Sequence, residues 1–357
     1  NLSDPEIALP GEYFNTLLYS GTGGSGQSLT GVGFQPDMMF LKRRNADSTG
    51  WGAMDVVRGA EASSSLSKLT PNATTAQESS GDTYDVISFD SDGFTVGEGY
   101  NLNVNASGGT YGTWNWKAGG AGVSNTEGSL DATVSANTTA GFSIVRMDED
   151  GTGATATVGH GLTQAPELVI GKPFNAADHW RVGSDFLTSW ATPIRLDTTA
   201  AEYAGPNAFA STAPTATLVT MGSDGLNNVG PPGYRSILYC FHSVEGYSKV
   251  GGYEGNGNAD GSFIYLGFRP SWFLCKNIDA VEGWELWDNK RDPYNVTSIK
   301  LSPDTTDAEY TANETTYAID FLSNGVKLRT SYSAVNASNT FLYVAFAESP
   351  FKYSNAR

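Results

Sequence analysis

Apolar residues in this chain come in short runs, with no sustained apolar positions at helical spacing. The runs MMFLK (38–42), ELVIGK (167–172), SILYCF (236–241), SWFLCK (271–276) and FLYVAF (341–346) are rich in β-branched and aromatic residues and are bounded by Gly, Pro, Asn or Asp. Such runs predict short strands. ISFDSDGFTVG and AIDFLSNGVKLR each read as a hairpin around Asp92-Gly93 or Asn324-Gly325, because Asp, Asn and Gly tolerate positive φ. The pattern predicts an all-β fold.

The runs also recur in register. GFQPDMMFLK (33–42), GLTQAPELVIGK (161–172) and GFRPSWFLCK (267–276) each place a lysine six residues after a proline: Pro36 and Lys42, Pro166 and Lys172, Pro270 and Lys276. A tryptophan follows the proline by 15, 14 and 14 residues at Trp51, Trp180 and Trp284. A turn dipeptide follows at 56, 58 and 54 residues, with Asp224-Gly225 in the middle copy. Landmarks in register three times over predict an internal repeat whose unit has the length of a domain. The expected organisation is a connector at 1–13, units at 14–120, 142–246 and 247–357, and a Gly/Ser/Thr-rich linker at 121–141. Each unit is expected to be a β-sandwich of jelly-roll-like type, with its Pro-to-Lys run as a core strand and its D/N-G pair as a hairpin turn.

Composition narrows the function classes. A net charge of −17 argues against nucleic acid and anionic membranes, which need clustered Lys and Arg. No apolar stretch approaches the roughly 20 residues that span a bilayer. Cys240 and Cys275 fall in core strands of different units and read as buried free thiols. With no initiator Met and no signal peptide, the chain is expected to be processed or to begin inside a longer product.

Candidate chemistry is sparse. Lys42, Lys172 and Lys276 read as strand-end lysines whose stems cover apolar surface and whose ammonium groups stand in solvent, with ligand contact or a Schiff base as the alternative. Trp51, Asp55 and Arg58 share the pattern W-x-x-x-D-x-x-R with Trp284, Asp288 and Arg291, while Trp180 has only a displaced Asp185. An exposed Trp beside an acid and an arginine suits a sugar ligand; a core-edge Trp with a structural Asp–Arg bridge is the competing reading. Glu282, Glu285 and Asp288 lie close in sequence, but on a strand Glu285 and Asp288 face opposite sides, so no glycosidase pair is expected. His160, His179 and His242 occupy non-equivalent places. DEDGTG (148–153) and EGNGNADG (254–261) offer oxygen ligands to a hard cation such as Ca2+, with a polar turn as the alternative. The segments 59–85, 189–217 and 295–317 differ most between units, and Trp190 and Tyr203 are expected to anchor a contact surface in the second.

Several strings carry a family resemblance: LTGVGFQPD (29–37), FDSDGFTVG (89–97), WKAGG (116–120), VEGYSKVGGYEGNGNADG (244–261), KRDPYN (290–295), DFLSNGVKLR (320–329) and AFAESPFKYSNAR (345–357). From about residue 14 to 357 the chain resembles an uncharacterised repeat-domain family of virion tail and fibre proteins of tailed bacteriophages, many of them marine. The resemblance implies a non-enzymatic virion structural protein of tail, fibre or particle surface that attaches to host-surface glycan. It also implies homo-oligomerisation, other virion proteins as partners, and synthesis in the bacterial host cytoplasm. The alternatives are a tail-associated glycan depolymerase and a purely architectural decoration or spacer. The family supplies no catalytic or binding residues to transfer, and no cofactor is expected.

Overall fold

A computed structural model describes all residues except 1–3, 25, 60–64, 79–84, 99–103, 149–154, 205–207, 224–225, 227–233, 312–314 and 354–357. The fold is all-β, with several antiparallel sheets. The first unit contributes β1 (Phe14–Ser20), β2 (Gln27–Thr30), β3 (Met38–Arg43), β4 (Trp51–Asp55), β5 (Val86–Asp90), β6 (Gly93–Val96) and β7 (Thr110–Trp116). Two further strands follow, β8 (Val123–Asn125) and β9 (Ala132–Asn137). The second unit has β10 (Phe142–Asp148), β11 (Ala156–Gly159), β12 (Leu168–Pro173), β13 (Arg181–Ser184), β14 (Ile194–Arg195), β15 (Leu218–Met221) and β16 (Arg235–Phe241). The third has β17 (Ser248–Glu254), β18 (Phe263–Tyr265), β19 (Phe268–Asn277), β20 (Trp284–Asp288), β21 (Ile319–Leu322), β22 (Gly325–Leu328) and β23 (Thr340–Pro350).

One strand order recurs. The larger sheets run β1-β7-β3-β4, β10-β16-β12-β13 and β17-β23-β19-β20, and the smaller ones contain the pairs β2-β6, β11-β15 and β18-β22. Each Pro-to-Lys run supplies a fully paired inner strand: β3, β12 or β19. Two of the turn dipeptides close hairpins as expected, β5–β6 and β21–β22. The middle copy differs. The strand that pairs with β11 is β15, which follows a turn in which the Thr215 amide bonds the Leu218 carbonyl. Asp224-Gly225 comes after β15 in the sequence and lies outside the described residues.

Two segments read from composition as connections take part in the fold. In the stretch 121–141, β9 pairs with β10 over six residues and β8 pairs with β9, widening the second unit's sheet to seven strands. Leu130, Ala132 and Val134 alternate into the core, so a Ser/Thr-rich segment with period-2 apolar positions is a strand. Near the N-terminus, Ile7 is buried, and Lys352 beside the C-terminal strand is paired with Asp4.

Why the runs are apolar on consecutive residues follows from the layers. In β3, Met39 and Leu41 pack with Phe94 and Tyr111 inside the first sandwich, whereas Met38 and Phe40 face the other way. In β12 Val169 faces inward and Leu168 and Ile170 outward; in β19 Phe273 and Cys275 face inward and Trp272 and Leu274 outward. The outward faces of all three larger sheets meet in one shared core. Rings cross the unit boundaries there: Phe14 stacks on Phe346 at 4.6 Å, and Trp116 meets Trp272 edge-on at 6.0 Å. Phe241 reaches Phe346 at 6.2 Å. A strand buried on both faces cannot alternate polar with apolar. Cys240 and Cys275 are free and buried in separate hydrophobic cores, and burial pushes both thiols up to about 12.

Because the shared core draws on every unit, unfolding is expected to be one cooperative transition by both near-UV and far-UV circular dichroism. Phe346→Ala should lower its free energy by about 3–5 kcal/mol without splitting it. A residual transition belonging to one unit would contradict the shared core.

Candidate functional site

The residues that recur through the sequence converge on the boundaries between units. Lys42 lies opposite Trp51 in the β3–β4 register, as Lys276 lies opposite Trp284 in β19–β20. Each of the three lysines is fully buried, which corrects the expectation of a solvent-facing ammonium: the Nζ groups are bonded to carbonyls inside the fold. Lys42 Nζ donates to the Thr49 carbonyl at 2.6 Å and, across a boundary, to the Thr306 carbonyl at 3.1 Å. Lys172 Nζ donates to the Pro173 carbonyl at 2.8 Å and across a boundary to Thr74 at 3.3 Å. Lys276 Nζ donates to the Asn277 carbonyl at 2.7 Å and across a boundary to Thr199 at 3.3 Å. Burial brings each ammonium down to about 8, with nearby carboxylates opposing the shift.

The tryptophans follow the same direction. The indole N–H of Trp51 donates to the Ser302 carbonyl at 3.2 Å, that of Trp180 to Thr70 at 3.0 Å, and that of Trp284 to Arg195 at 2.9 Å. The first unit therefore reaches into the third, the third into the second, and the second into the first. The receiving arms, 70–74, 195–199 and 302–306, are held within their own units by one device. Asn72, Asp197 and Asp304 accept the backbone N–H of Trp51, Trp180 and Trp284 through Oδ1 at 2.9, 3.0 and 3.1 Å. Each arm thus orients its own tryptophan and receives the next unit's lysine and tryptophan.

A second lacing uses the acids. Asp55 Oδ1 accepts the Val57 and Arg58 amides, and its Oδ2 accepts Arg58 Nε at 2.6 Å and the Tyr239 hydroxyl at 2.7 Å. Asp288 repeats this with Arg291 Nε at 2.5 Å and the Trp114 indole N–H at 3.1 Å. At the third boundary both partners change together. Ser184 stands where the acid would be at the end of β13, and Val344 occupies the β23 position matching Tyr239 and Trp114. A valine has no donor that needs an acid. The displaced Asp185 instead accepts the Trp190 indole N–H at 2.8 Å.

These placements correct the expected contacts. Trp51 and Trp284 are buried and bonded to a neighbouring unit, so neither ring face is open to a sugar. Trp190 is also buried, edge-on to Phe209 at 5.3 Å in the second sandwich core. Gly183 makes room for it, since a Cβ there would lie 2.5 Å from the Trp190 ring. Tyr203 is half-buried beneath the Arg195 guanidinium at 4.5 Å. Small polar residues of this segment such as Ser189, Thr212 and Thr217 are exposed while the rings turn inward, so composition there did not signal which side chains face solvent. Pro36, Pro166 and Pro270 are buried at or just before their strands.

The acid cluster does not converge. Asp288 faces the shared boundary, whereas Glu285 points to the other side of β20, bonded to Lys300 Nζ at 2.8 and 2.6 Å and to the Tyr332 hydroxyl at 3.2 Å. Burial raises the Glu285 carboxyl to about 7 against the pull of Lys300. Among the described residues no group of three His, Cys, Asp or Glu side chains is placed to hold a metal ion. In the 254–261 loop Asp260 pairs with Lys327 at 2.7 Å, and residues 149–153 of the other candidate loop lie outside the described residues.

Two features escaped the sequence reading. One is the arm motif, N/D-x-T in TPNAT, LDTT and SPDTT, whose recurrence is blurred by offsets of 36, 31 and 34 residues from the prolines. The other is a cleft of about 360 Å³ at the edge of the third unit, walled by Phe186, Phe263 and Tyr265. These rings are 36%, 46% and 58% exposed.

Residues 9–350 match the family described as a domain of unknown function (DUF7483), and the chain belongs to that family. No curated protein matches it.

Two outcomes follow from the lysine and tryptophan seats. Trp180→Phe keeps an aromatic ring but removes the indole donor, leaving the Thr70 carbonyl only the Ala73 amide, and is expected to cost about 1–3 kcal/mol by chemical denaturation. Lys172 has a folded pKa of about 8, below its ordinary 10.5, so between those values the unfolded state binds more protons. Its stability contribution is therefore complete above pH 10.5 and lost as pH falls through 8. The stability of wild type relative to Lys172→Met should accordingly rise by about 1.4 kcal/mol per pH unit within that window. A difference independent of pH would contradict a buried, charged Lys172.

Proposed function

We propose that this member of the DUF7483 family is a non-enzymatic structural component of a tailed-bacteriophage particle, in tail, fibre or particle surface, built from three copies of one jelly-roll-like sandwich. The observation that carries the reading is where the recurring residues are spent. The lysines, tryptophans and the two Asp–Arg pairs, which are the groups a ligand or reaction would otherwise use, bind one unit to the next. A chain whose repeated polar chemistry is directed inward is suited to bearing load and presenting a surface. The setting rests on the resemblance of its strings to phage tail and fibre proteins, and with it go the proposals of other virion proteins as partners, homo-oligomeric assembly and synthesis in the bacterial cytoplasm.

Attachment to host-surface glycan is a second reading, favoured by the exposed rings Phe186, Phe263 and Tyr265. Locating the chain in intact particles by labelled-antibody microscopy tests the first reading, and its absence from purified particles would defeat it. Incubation with host polysaccharide is expected to leave the polymer length unchanged by size-exclusion chromatography. Glu285→Gln is expected to lower the melting temperature and alter no turnover, because Glu285 is committed to Lys300 and Tyr332. Shortened products that disappear in Glu285→Gln would establish a depolymerase instead.

A further inference from the structure

The three sandwiches differ in how their open side is closed. In the first and third units the first strand of the larger sheet and the second strand of the unit are both edges, β1 and β2, β17 and β18; their counterparts in the second unit are β10 and β11, of which β10 carries β9 on its outer side. In the second unit the segment 128–137 straps both. The Leu130 amide bonds the Thr157 carbonyl on β11 at 3.0 Å, and β9 then pairs along β10 from Phe142↔Asn137 to Met147↔Ala132. The strap buries Leu130, Ala132 and Val134 in the sandwich core.

The third unit has the same two edges without the strap. Register through the neighbouring central strand makes Ile144 the counterpart of Val250, and Arg146 that of Gly252. Along β17, Ser248 is bridged to Val244, and the Val250 amide donates to Ser243 Oγ at 3.0 Å. The Glu254 carbonyl accepts the Ser262 hydroxyl at 2.7 Å. Strand alternation turns the Gly252 N–H and carbonyl to the same side, where neither is paired among the described residues. Gly252 is exposed, and this stretch of edge forms one wall of the 360 Å³ cleft, with Phe263 and Tyr265 of β18 opposite and Phe186 beside it. Gly251 replaces Val145 of the second unit, and a Cβ there would lie 2.4 Å from the Tyr343 hydroxyl. The free backbone groups of this edge are thus centred on Gly252, and a free edge position under exposed rings is the kind of surface that strand addition uses.

We propose that the β17 edge at Gly252 and its ring-walled cleft are a docking site for an extended polypeptide segment from a neighbouring chain, running antiparallel to β17 in the sense of β9 on β10 and bonding the free backbone groups of Gly252. Its chemistry is that of the strap: uncharged along the pairing stretch, with apolar residues at alternate positions, as in Leu130, Ala132 and Val134. The backbone of the incoming segment bonds Gly252, and its apolar side chains cover Phe263 and Tyr265. The inference goes beyond the virion reading and does not depend on it, because it rests on the comparison of two edges within one chain.

The test uses a synthetic peptide of residues 126–137 with blocked ends, a scrambled control, and hydrogen exchange of the intact chain. The expected result is at least tenfold slower exchange across 250–254 at saturating peptide, with none from the scramble. Gly252→Pro removes the outward N–H at a position where an edge strand tolerates proline, and should weaken peptide binding at least tenfold. Tyr265→Ala leaves the backbone intact and should weaken it several-fold, with the melting temperature unchanged in this exposed-ring variant. No protection at millimolar peptide overturns the proposal, as does protection confined to 142–147 or equal binding by both variants. Binding of a host oligosaccharide in the cleft where the peptide fails would also overturn it, assigning the rings to glycan.

Discussion

Each larger sheet in this chain is apolar on both faces, and a two-layer sandwich buries only one of them. The second face must be removed from water, and the three units do this by presenting those faces to one another. Phe14, Trp116, Phe241, Trp272 and Phe346 meet in that shared core, so each unit, besides its own inner core, depends on the other two to cover the outer face of its larger sheet. At about 25 cal/mol per Å² of apolar surface, burying several aromatic side chains from each sheet outweighs any single polar contact at the boundaries.

Apolar burial is non-directional and does not by itself fix how three sheets are turned relative to one another. The polar seats supply that direction. A buried lysine is costly unless its ammonium finds acceptors, and an indole N–H buried without a partner costs roughly a hydrogen bond. Lys42, Lys172 and Lys276, like Trp51, Trp180 and Trp284, find theirs on the arm of a neighbouring unit, always in the same rotational sense. A different rotation would leave six buried donors without those acceptors. The Asp55–Tyr239 and Asp288–Trp114 contacts add the same constraint at two boundaries, and Ser184 with Val344 removes donor and acceptor together at the third.

Much of the architecture was legible because strand chemistry is local. Doubly apolar runs, hairpin dipeptides and the Pro–Lys–Trp spacing are set by residues a few positions apart, so the all-β fold and the core strands followed from them. What depends on distant partners was not legible. Nothing near Trp51 announces that its acceptor is the carbonyl of Ser302, and nothing near Trp190 announces Phe209. The 121–141 segment was misjudged because Gly and Ser content outweighed the alternation of Leu130, Ala132 and Val134. The cleft beside β17 was invisible because it arises from the lack of a strap that another unit possesses.

The central claim is that the recurring tryptophans are donors buried at closed boundaries between units. Hydrogen exchange of the indole Nε1 protons of Trp51, Trp180 and Trp284, followed by NMR under native conditions, tests it most directly. The account predicts that all three exchange only through global unfolding, with one common protection free energy that falls together on addition of denaturant. Exchange of any of the three at the rate of a solvent-exposed tryptophan would contradict it.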